Sequence, residues 1–332
     1  MRKYSVAIVG VTGLVGSTLL KVLEQYDFPV KDLLLFASEK SIGKEFVFKN
    51  KLYYVKTLNV NSFKNVDFAF FCAGSEVSKY WAEVAENEGC FVIDNSSYFR
   101  MNDDVSLIVP EVNFDDCYGK RNLIANPNCS TIQSVICLNA LKQFGIKRVI
   151  YTTYQAVSGS GINGINALEK TSNFYPYDIR KTCIPQIDSF LENGYTKEEM
   201  KMINETRKIL NMPHLNIIAT CVRVPVAFSH AVSVVVEFEK EFELIDVFKA
   251  FNNQEGLIVI DNIDEKHYPT GLNSTGQDIV YIGRIRKDLF SNKSLLFYCV
   301  ADNIRKGAAS NAVGIAMKII EKSLLKGLAL EN

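Results

Sequence analysis

The stretch that most restricts the fold is KYSVAIVGVTGLVGSTLLKVL, residues 3–23. A short β-branched run ends at Gly10, and apolar residues at helical spacing, Leu19, Leu20 and Leu23 among them, follow almost at once. Strand, glycine turn and helix with so little connecting chain is the opening of a βαβ unit. Glycines at 10, 13 and 16 form a G-x-x-G-x-x-G variant of the dinucleotide fingerprint. The first permits a tight turn, the next lets the backbone approach a pyrophosphate, and the helix start supplies unpaired N–H groups and partial positive charge. Gly10, Gly13 and Gly16, with Thr12, Leu14 and Val15 between them, are the expected cofactor-binding segment.

The pattern continues in kind. DLLLFAS reads as a second strand, VDFAFFCAG as a third and CFVIDNSS as a fourth, with a helical SEVSKYWAEVAENEG between the last two. Near-continuous apolar strands alternating with helices argue for a parallel sheet. From about residue 130 the character changes: a helix follows Cys129 to near Gly145, then KRVIYTTYQ, NIIATCVRV, HAVSVVVEF, DIVYIGRIRKD and KSLLFYCVAD read as strands, several without a helix between them. A chain of 332 residues exceeds the size at which one core usually stops growing. The expected fold is therefore α/β: a Rossmann-type doubly wound parallel sheet domain over residues 1–128, with a C-terminal helix at about 304–332 packing back on it, plus an α+β domain with a mixed sheet over residues 129–303.

Lys+Arg and Asp+Glu are each 37, so the overall basic charge of nucleic-acid and anionic-membrane binders is missing. The N-terminal apolar run breaks at glycine too early for a signal peptide, and no stretch approaches the roughly 18 to 20 apolar residues of a membrane span. The expectation is a cytoplasmic protein with no nucleic-acid or membrane partner. Eight scattered cysteines, with no C-x-x-C pair and none at metal-ligand spacing from a histidine, argue against a disulfide framework or a metal site.

The end of the second strand bears on the cofactor. In FASEKSIGK, Ser38, Lys40 and Ser41 suit a 2′-phosphate, whereas Glu39 would repel one unless turned away; the reading favours NADP over NAD. Among the cysteines, Cys129 stands apart. It follows Asn-Pro-Asn, has polar neighbours and starts a helix, where partial positive charge favours a thiolate. The competing reading is a buried packing cysteine. Of the three histidines, His214 and His267 lie in loop-like settings, while His230 follows Arg223 by seven residues at the ends of two strands. Cys-His pairing in space is the usual way to activate sulfur, and an imidazole of ordinary pKa, ~6.5, exchanges protons near neutrality. The loop 171–196 is long enough to expect a functional or interfacial role.

Taken together, GVTGLVG, DNSSYFR, PNCSTIQ, QAVSGSG, VRVPVAFSHAVSV, GRIRKD and DNIRKGAASNAV resemble the aspartate-β-semialdehyde dehydrogenase family, most closely its bacterial NADPH-dependent branch. The likeness runs in order over nearly the whole chain. It implies reduction of L-aspartyl-4-phosphate by NADPH to L-aspartate 4-semialdehyde and phosphate through a cysteine thioester, on the route to lysine, threonine, methionine and diaminopimelate. It further implies that the second domain is catalytic and dimerising, within a homodimer or dimer-based tetramer. By resemblance Cys129 is the nucleophile, His230 the acid/base and Gln155 the residue orienting the acyl group. Arg223 binds the substrate carboxylate, and Arg100 with Asn128 serves the phosphate site. Glu205 and Lys208, three residues apart on one helix face, contact the ammonium and the phosphate, and Ser158 and Gly159 join the cofactor site. Backbone N–H groups at the start of the Cys129 helix are candidates for holding the oxyanion. Two alternatives remain: another acyl-phosphate reductase, such as an N-acetylglutamyl-phosphate reductase, or a non-catalytic NADP-binding redox sensor.

Overall fold

The structure, a computed structural model, describes residues 2–170 and 172–322. The last ten residues of the expected C-terminal helix region, 323–332, lie outside the described residues. The chain divides into two compact units, one of residues 1–127 with 308–332 and one of residues 128–307.

The first unit is built on an eight-stranded sheet. Its strands are β1 (Tyr4–Val9), β2 (Val30–Phe36), β3 (Glu45–Phe48), β4 (Lys51–Lys56), β5 (Phe68–Phe71), β6 (Phe91–Asp94), β7 (Ser106–Leu107) and β8 (Leu123–Ala125), in the order β3-β4-β2-β1-β5-β6-β8-β7. All neighbours run parallel except the β3/β4 hairpin at one edge. β1, β5 and β6 are wholly buried, as central strands covered by helices on both faces must be. The helices Leu14–Gln25, Ser75–Asn87 and Ser310–Glu321 belong to this unit. The last places Ala312, Val313, Ile315, Ala316 and Ile319 in the same core as Val6, Ile8, Leu19 and Leu23. Three features differ from the sequence reading: the β3/β4 hairpin intervenes between the second and third expected strands, and β7 and β8 follow the fourth.

The second unit holds a six-stranded sheet in the order β10-β9-β11-β14-β13-β12. These strands are β9 (Ile146–Gln155), β10 (Asn216–Arg223), β11 (His230–Phe238), β12 (Leu257–Val259), β13 (Val280–Lys287) and β14 (Ser294–Ala301). β10 pairs parallel with β9 and β12 with β13, while β9/β11, β11/β14 and β14/β13 are antiparallel, so the sheet is mixed. One face, with Val149, Tyr151, Thr153, Val232, Val234, Phe297 and Cys299, is buried. On the other, Ile218, Ile150, Val235 and Leu296 stand opposite one another in a cross-strand row and are only partly covered. Among the described residues no helix is long and apolar enough to cross a membrane.

Candidate functional site

In the first unit the chain leaves β1 at Gly10, whose φ of +90° is a conformation glycine adopts freely. A Cβ at Gly16 would stand 2.2 Å from the Gly10 carbonyl oxygen, so close packing of helix on turn requires glycine there. Gly13 caps the Leu14–Gln25 helix without placing any side chain on its first N–H groups, which suits them to a phosphate. Beside this turn is a cavity of about 500 Å3 at the carboxyl ends of β1, β2 and β5, lined by Gly10, Thr12, Gly13, Ser38, Glu39 and Trp81 among others. That is the crevice in which doubly wound sheets bind nucleotides, and its residues fit a dinucleotide. Leu14 and Val15 are half-buried at the helix start. Of the three residues expected to hold a 2′-phosphate, Ser38 lines the cavity and Lys40 is exposed beside it. Ser41 is only 7% exposed, and its N–H closes a tight turn onto the Ser38 carbonyl. Glu39 faces the cavity.

The DNSSYFR segment is shaped by the buried Asp94 at the end of β6. Its carboxylate accepts hydrogen bonds from Ser78 Oγ at 2.7 Å, Ser96 N–H at 2.9 Å and Ser96 Oγ at 2.6 Å. Burial nevertheless raises its pKa above the usual aspartate value, against those bonds. Arg100, 8% exposed, donates from Nη2 to the Asn95 carbonyl at 2.9 Å.

In the second unit Cys129 is the first residue of the Cys129–Leu141 helix and is half-buried. Asn128 caps that helix: its Oδ1 accepts from the N–H groups of Ser130 at 2.9 Å and Thr131 at 3.2 Å. Those two amides are thereby committed to the cap, which removes them as the oxyanion donors expected at this helix start. Asn128 also works in two other directions. Its N–H donates to Glu205 Oε2 at 2.6 Å, and its Nδ2 donates to Glu198 Oε1 at 2.8 Å.

Glu198 was not singled out from sequence, yet it joins more of the site than any other side chain described. The same Oε1 accepts from Gln155 Nε2 at 3.2 Å, and Oε2 pairs with Lys201 Nζ at 3.1 Å. Lys201 continues to Asp188 at 3.0 Å. Burial pushes the Glu198 pKa up, but the Lys201 charge and the hydrogen bonds from Asn128, Lys201 and Gln155 outweigh it and hold the group below the usual carboxylate range. Burial likewise opposes the Lys201 charge, and Glu198 with Asp188 overcomes it, leaving that pKa above the ordinary lysine value. Both groups are ionised at neutral pH.

Glu198 and Lys201 have the E-x-x-K spacing that singled out Glu205 and Lys208, one heptad earlier in the same Lys197–Leu210 helix. The structure separates the two pairs. Glu205, 2% exposed, spends a carboxylate oxygen on the Asn128 main chain, whereas Glu198 meets the side chains of Asn128 and Gln155. Lys208 is partly exposed in the last turn. The local signal that could have favoured the earlier pair is the Thr196/Glu199 capping box, which sets Glu198 in the first turn.

Gln155 ends β9, and Ala156 after it ties two more candidates together. The Ala156 N–H donates to His230 Nδ1 at 3.0 Å, and the Ala156 carbonyl accepts from Arg223 Nη1 at 2.6 Å. Arg223 is 4% exposed and His230 fully buried. Burial first, then the Arg223 charge, holds the His230 pKa well below the ordinary histidine value, which corrects the expectation of proton exchange near neutrality. With Nδ1 accepting a backbone proton, the neutral ring carries its own proton on Nε2, an atom that meets no hydrogen-bonding partner among the described residues. The imidazole is thus set up as an N–H donor. His230 opens β11 rather than lying between strands.

Gly159 completes this cluster by having no side chain: a Cβ there would stand 2.8 Å from Arg223 Nη1 and 3.2 Å from His230 Nε2. Ser158 is buried with its hydroxyl bonded to Asn303, so of the pair only Gly159 presents backbone to solvent. The loop after residue 171 reaches the site too. Ile184 exchanges both backbone hydrogen bonds with Arg223, and Tyr175 and Asp188 line a cavity of about 370 Å3 that ends on Arg223. Among the described residues no group of His, Cys, Asp and Glu is arranged to hold a metal ion.

Residues 5–119 match the family model of the semialdehyde dehydrogenase NAD binding domain, and residues 138–306 that of the semialdehyde dehydrogenase dimerisation domain. Aspartate-semialdehyde dehydrogenase from Aquifex aeolicus is 48% identical, covering 97% of this chain and 99% of its own. The chain belongs to the aspartate-semialdehyde dehydrogenase family. Another member, from Campylobacter jejuni, is 47% identical over 96% of this chain and 98% of its own. The solved structure of aspartate semialdehyde dehydrogenase II from Vibrio cholerae, complexed with ASA, is similar with a TM-score of 0.92 and 41% identity, covering 97% of this chain and 99% of that one. Family membership also fixes the first unit as the one that takes a nicotinamide cofactor.

Proposed function

We propose that the protein is an aspartate-semialdehyde dehydrogenase of the cytoplasm that uses NADPH and works as a homodimer or a dimer-based tetramer. The observation that carries the reading is the connected set of hydrogen bonds from Asn128, the residue before Cys129, through Glu198 to Gln155, and from the next residue, Ala156, to Arg223 and His230. The network joins a carboxylate, an ammonium, a guanidinium and an imidazole from separate elements, and Asn128 within it precedes the thiol of Cys129.

Arg223 suits the substrate α-carboxylate, since a guanidinium offers two parallel N–H bonds. Glu198 takes the ammonium group and Lys201 the phosphate, in place of Glu205 and Lys208; Arg100 is a further phosphate cation. Held so, L-aspartyl-4-phosphate presents its acyl carbon to Cys129 Sγ, a C–S bond forms, the C–O bond breaks and phosphate departs. NADPH, when bound, supplies the hydride that reduces the thioester. His230 Nε2–H donates to the oxygen on which charge develops, and Gln155 keeps the acyl group in line. Return of the thiolate releases L-aspartate 4-semialdehyde.

The fit of the first unit to NADP rests on Ser38 at the cavity and Lys40 beside it; Glu39 works against the 2′-phosphate, so discrimination against NAD is expected to be modest. The partly covered row Ile218, Ile150, Val235 and Leu296 is the surface proposed to meet a second copy.

Production of NADPH from L-aspartate 4-semialdehyde, NADP and phosphate tests the reading. Absorbance growth that depends on phosphate is expected, together with at least tenfold slower turnover of N-acetylglutamate semialdehyde, whose acetylated amine offers Glu198 no charge. No phosphate-dependent signal would leave a binding protein as the better description.

A further inference from the structure

The segment DNIRKG, Asp302 to Gly307, carries part of the family likeness but has no part in the chemistry above. It touches the supports of both reacting side chains. Asn303 is 3% exposed; its Oδ1 accepts from the Ser229 N–H at 2.9 Å, and its Nδ2 donates to Ser158 Oγ at 2.9 Å. Ser229 immediately precedes His230 and has φ +73°, a left-handed conformation that a serine keeps only when its surroundings hold it. Ser158 immediately precedes Gly159, the residue lying against Arg223 and His230 Nε2.

At the other end, the Gly307 N–H donates to the Asp302 carbonyl at 2.9 Å, closing a turn of i to i+5 type that runs into the π-type segment Arg305–Ala309. A Cβ on Gly307 would be 2.8 Å from Cys129 Cβ and 3.2 Å from its Cα, closer than side chains approach. The turn itself is pinned by the Asp302 carboxylate. Oδ1 accepts from Ile304 N–H at 2.8 Å and Arg305 N–H at 2.9 Å, and Oδ2 accepts from Gly276 N–H at 2.7 Å.

We propose that Asn303 and Gly307 are positioning residues: one pinned turn sets the placement of the imidazole, through Ser229, and of the nucleophilic sulfur, through backbone contact with Cys129. The inference rests on the reading of Cys129 and His230 as the reacting pair. A displacement of the order of 1 Å at a reacting atom is enough to cost about 100-fold in rate.

The test compares Gly307→Ala, Asn303→Ala and Asn303→Asp in the full chain, by kcat, by KM for the semialdehyde, by NADPH affinity from calorimetry and by the rate of Cys129 alkylation with iodoacetamide across pH. Gly307→Ala is expected to lower kcat by about 100-fold and to shift the alkylation profile, with KM and NADPH affinity within about threefold of the parent. Asn303→Ala is expected to lose about tenfold in kcat, and Asn303→Asp, which keeps an acceptor for the Ser229 N–H, to recover most of it. Parent-like kcat and alkylation in Gly307→Ala would overturn the proposal, as would an Asn303→Asp variant no faster than Asn303→Ala. Should Gly307→Ala fail to fold, the Asn303 pair decides. Cys129→Ser in parallel keeps the two readings apart: full turnover there removes the underlying mechanism, whereas an inactive Cys129→Ser beside unaffected turn variants removes this inference alone.

Discussion

Two turns of one helix, Lys197–Leu210, carry the same spacing of glutamate and lysine and are put to different uses. Glu198 gathers two amide side chains and a lysine, while Glu205 supports a main-chain N–H one residue ahead of Cys129. Separation by three puts a pair on one helix face, and a shift of seven brings the next pair to nearly the same face. What differs is height: seven residues of helix rise about 10 Å, enough to exchange the end of β9 for the backbone entering the Cys129 helix. Spacing thus selects candidates, and depth along the axis assigns their work.

The comparison is broken or sharpened most strongly at the earlier pair. Lys201→Met leaves the buried Glu198 charge without its cationic partner, Glu198→Gln leaves Lys201 to Asp188 alone, and either is expected to lower kcat/KM by about 100-fold or more, equivalent to about 3 kcal/mol. Steady-state kinetics in both reaction directions measures this, with the lysine variant hit hardest in its KM for phosphate. Glu205→Gln should act on the fold instead. Weakening a buried bond to a helix-start amide is expected to cost about 1 to 2 kcal/mol of stability by urea titration, with kcat/KM largely preserved.

Acid offers an intermediate effect. Because the folded-state pKa of Glu198 is lowered below its ordinary 4.5, its contribution is complete above that value and is lost as pH falls through the folded one. The parent should therefore lose more stability than Glu198→Gln below about pH 4.5, and parallel acid-unfolding curves would contradict a charged, well-paired Glu198. The smallest change belongs to Lys208→Ala, partly exposed at the helix end, with stability within about 0.5 kcal/mol and nearly unaltered turnover. Loss of phosphate dependence there, with Lys201→Met active, would exchange the two pairs.

The glycine turn was legible because everything that defines it lies within seven residues, from Gly10 to Gly16, and Gly10 and Gly16 each answer a local demand of backbone geometry. The adjacent hairpin was not. Its turn residues Lys49 and Asn50 both have positive φ, at 47° and 60°, and a lysine in such a place conceals the turn that Asn50 alone only hints at. β7 and β8, of two and three residues, are too short to show any periodicity. At the candidate site, the helix start at Cys129 was legible from the Asn-Pro-Asn before it, and the cap that Asn128 supplies is local as well. Glu198 could not, since TKEEMKM reads as a solvated helix start and its partners Gln155 and Asn128 lie 43 and 70 residues away. The protonation of His230 was equally hidden, being decided by burial and by Arg223 rather than by anything adjacent in the chain.

Trp81, the sole tryptophan of the chain, lines the cavity beside the glycine turn. Indole emits where a reduced nicotinamide absorbs. Filling of that crevice should therefore dim its fluorescence and brighten the coenzyme's own, giving an optical titration of NADPH against NADH that needs no substrate and no turnover.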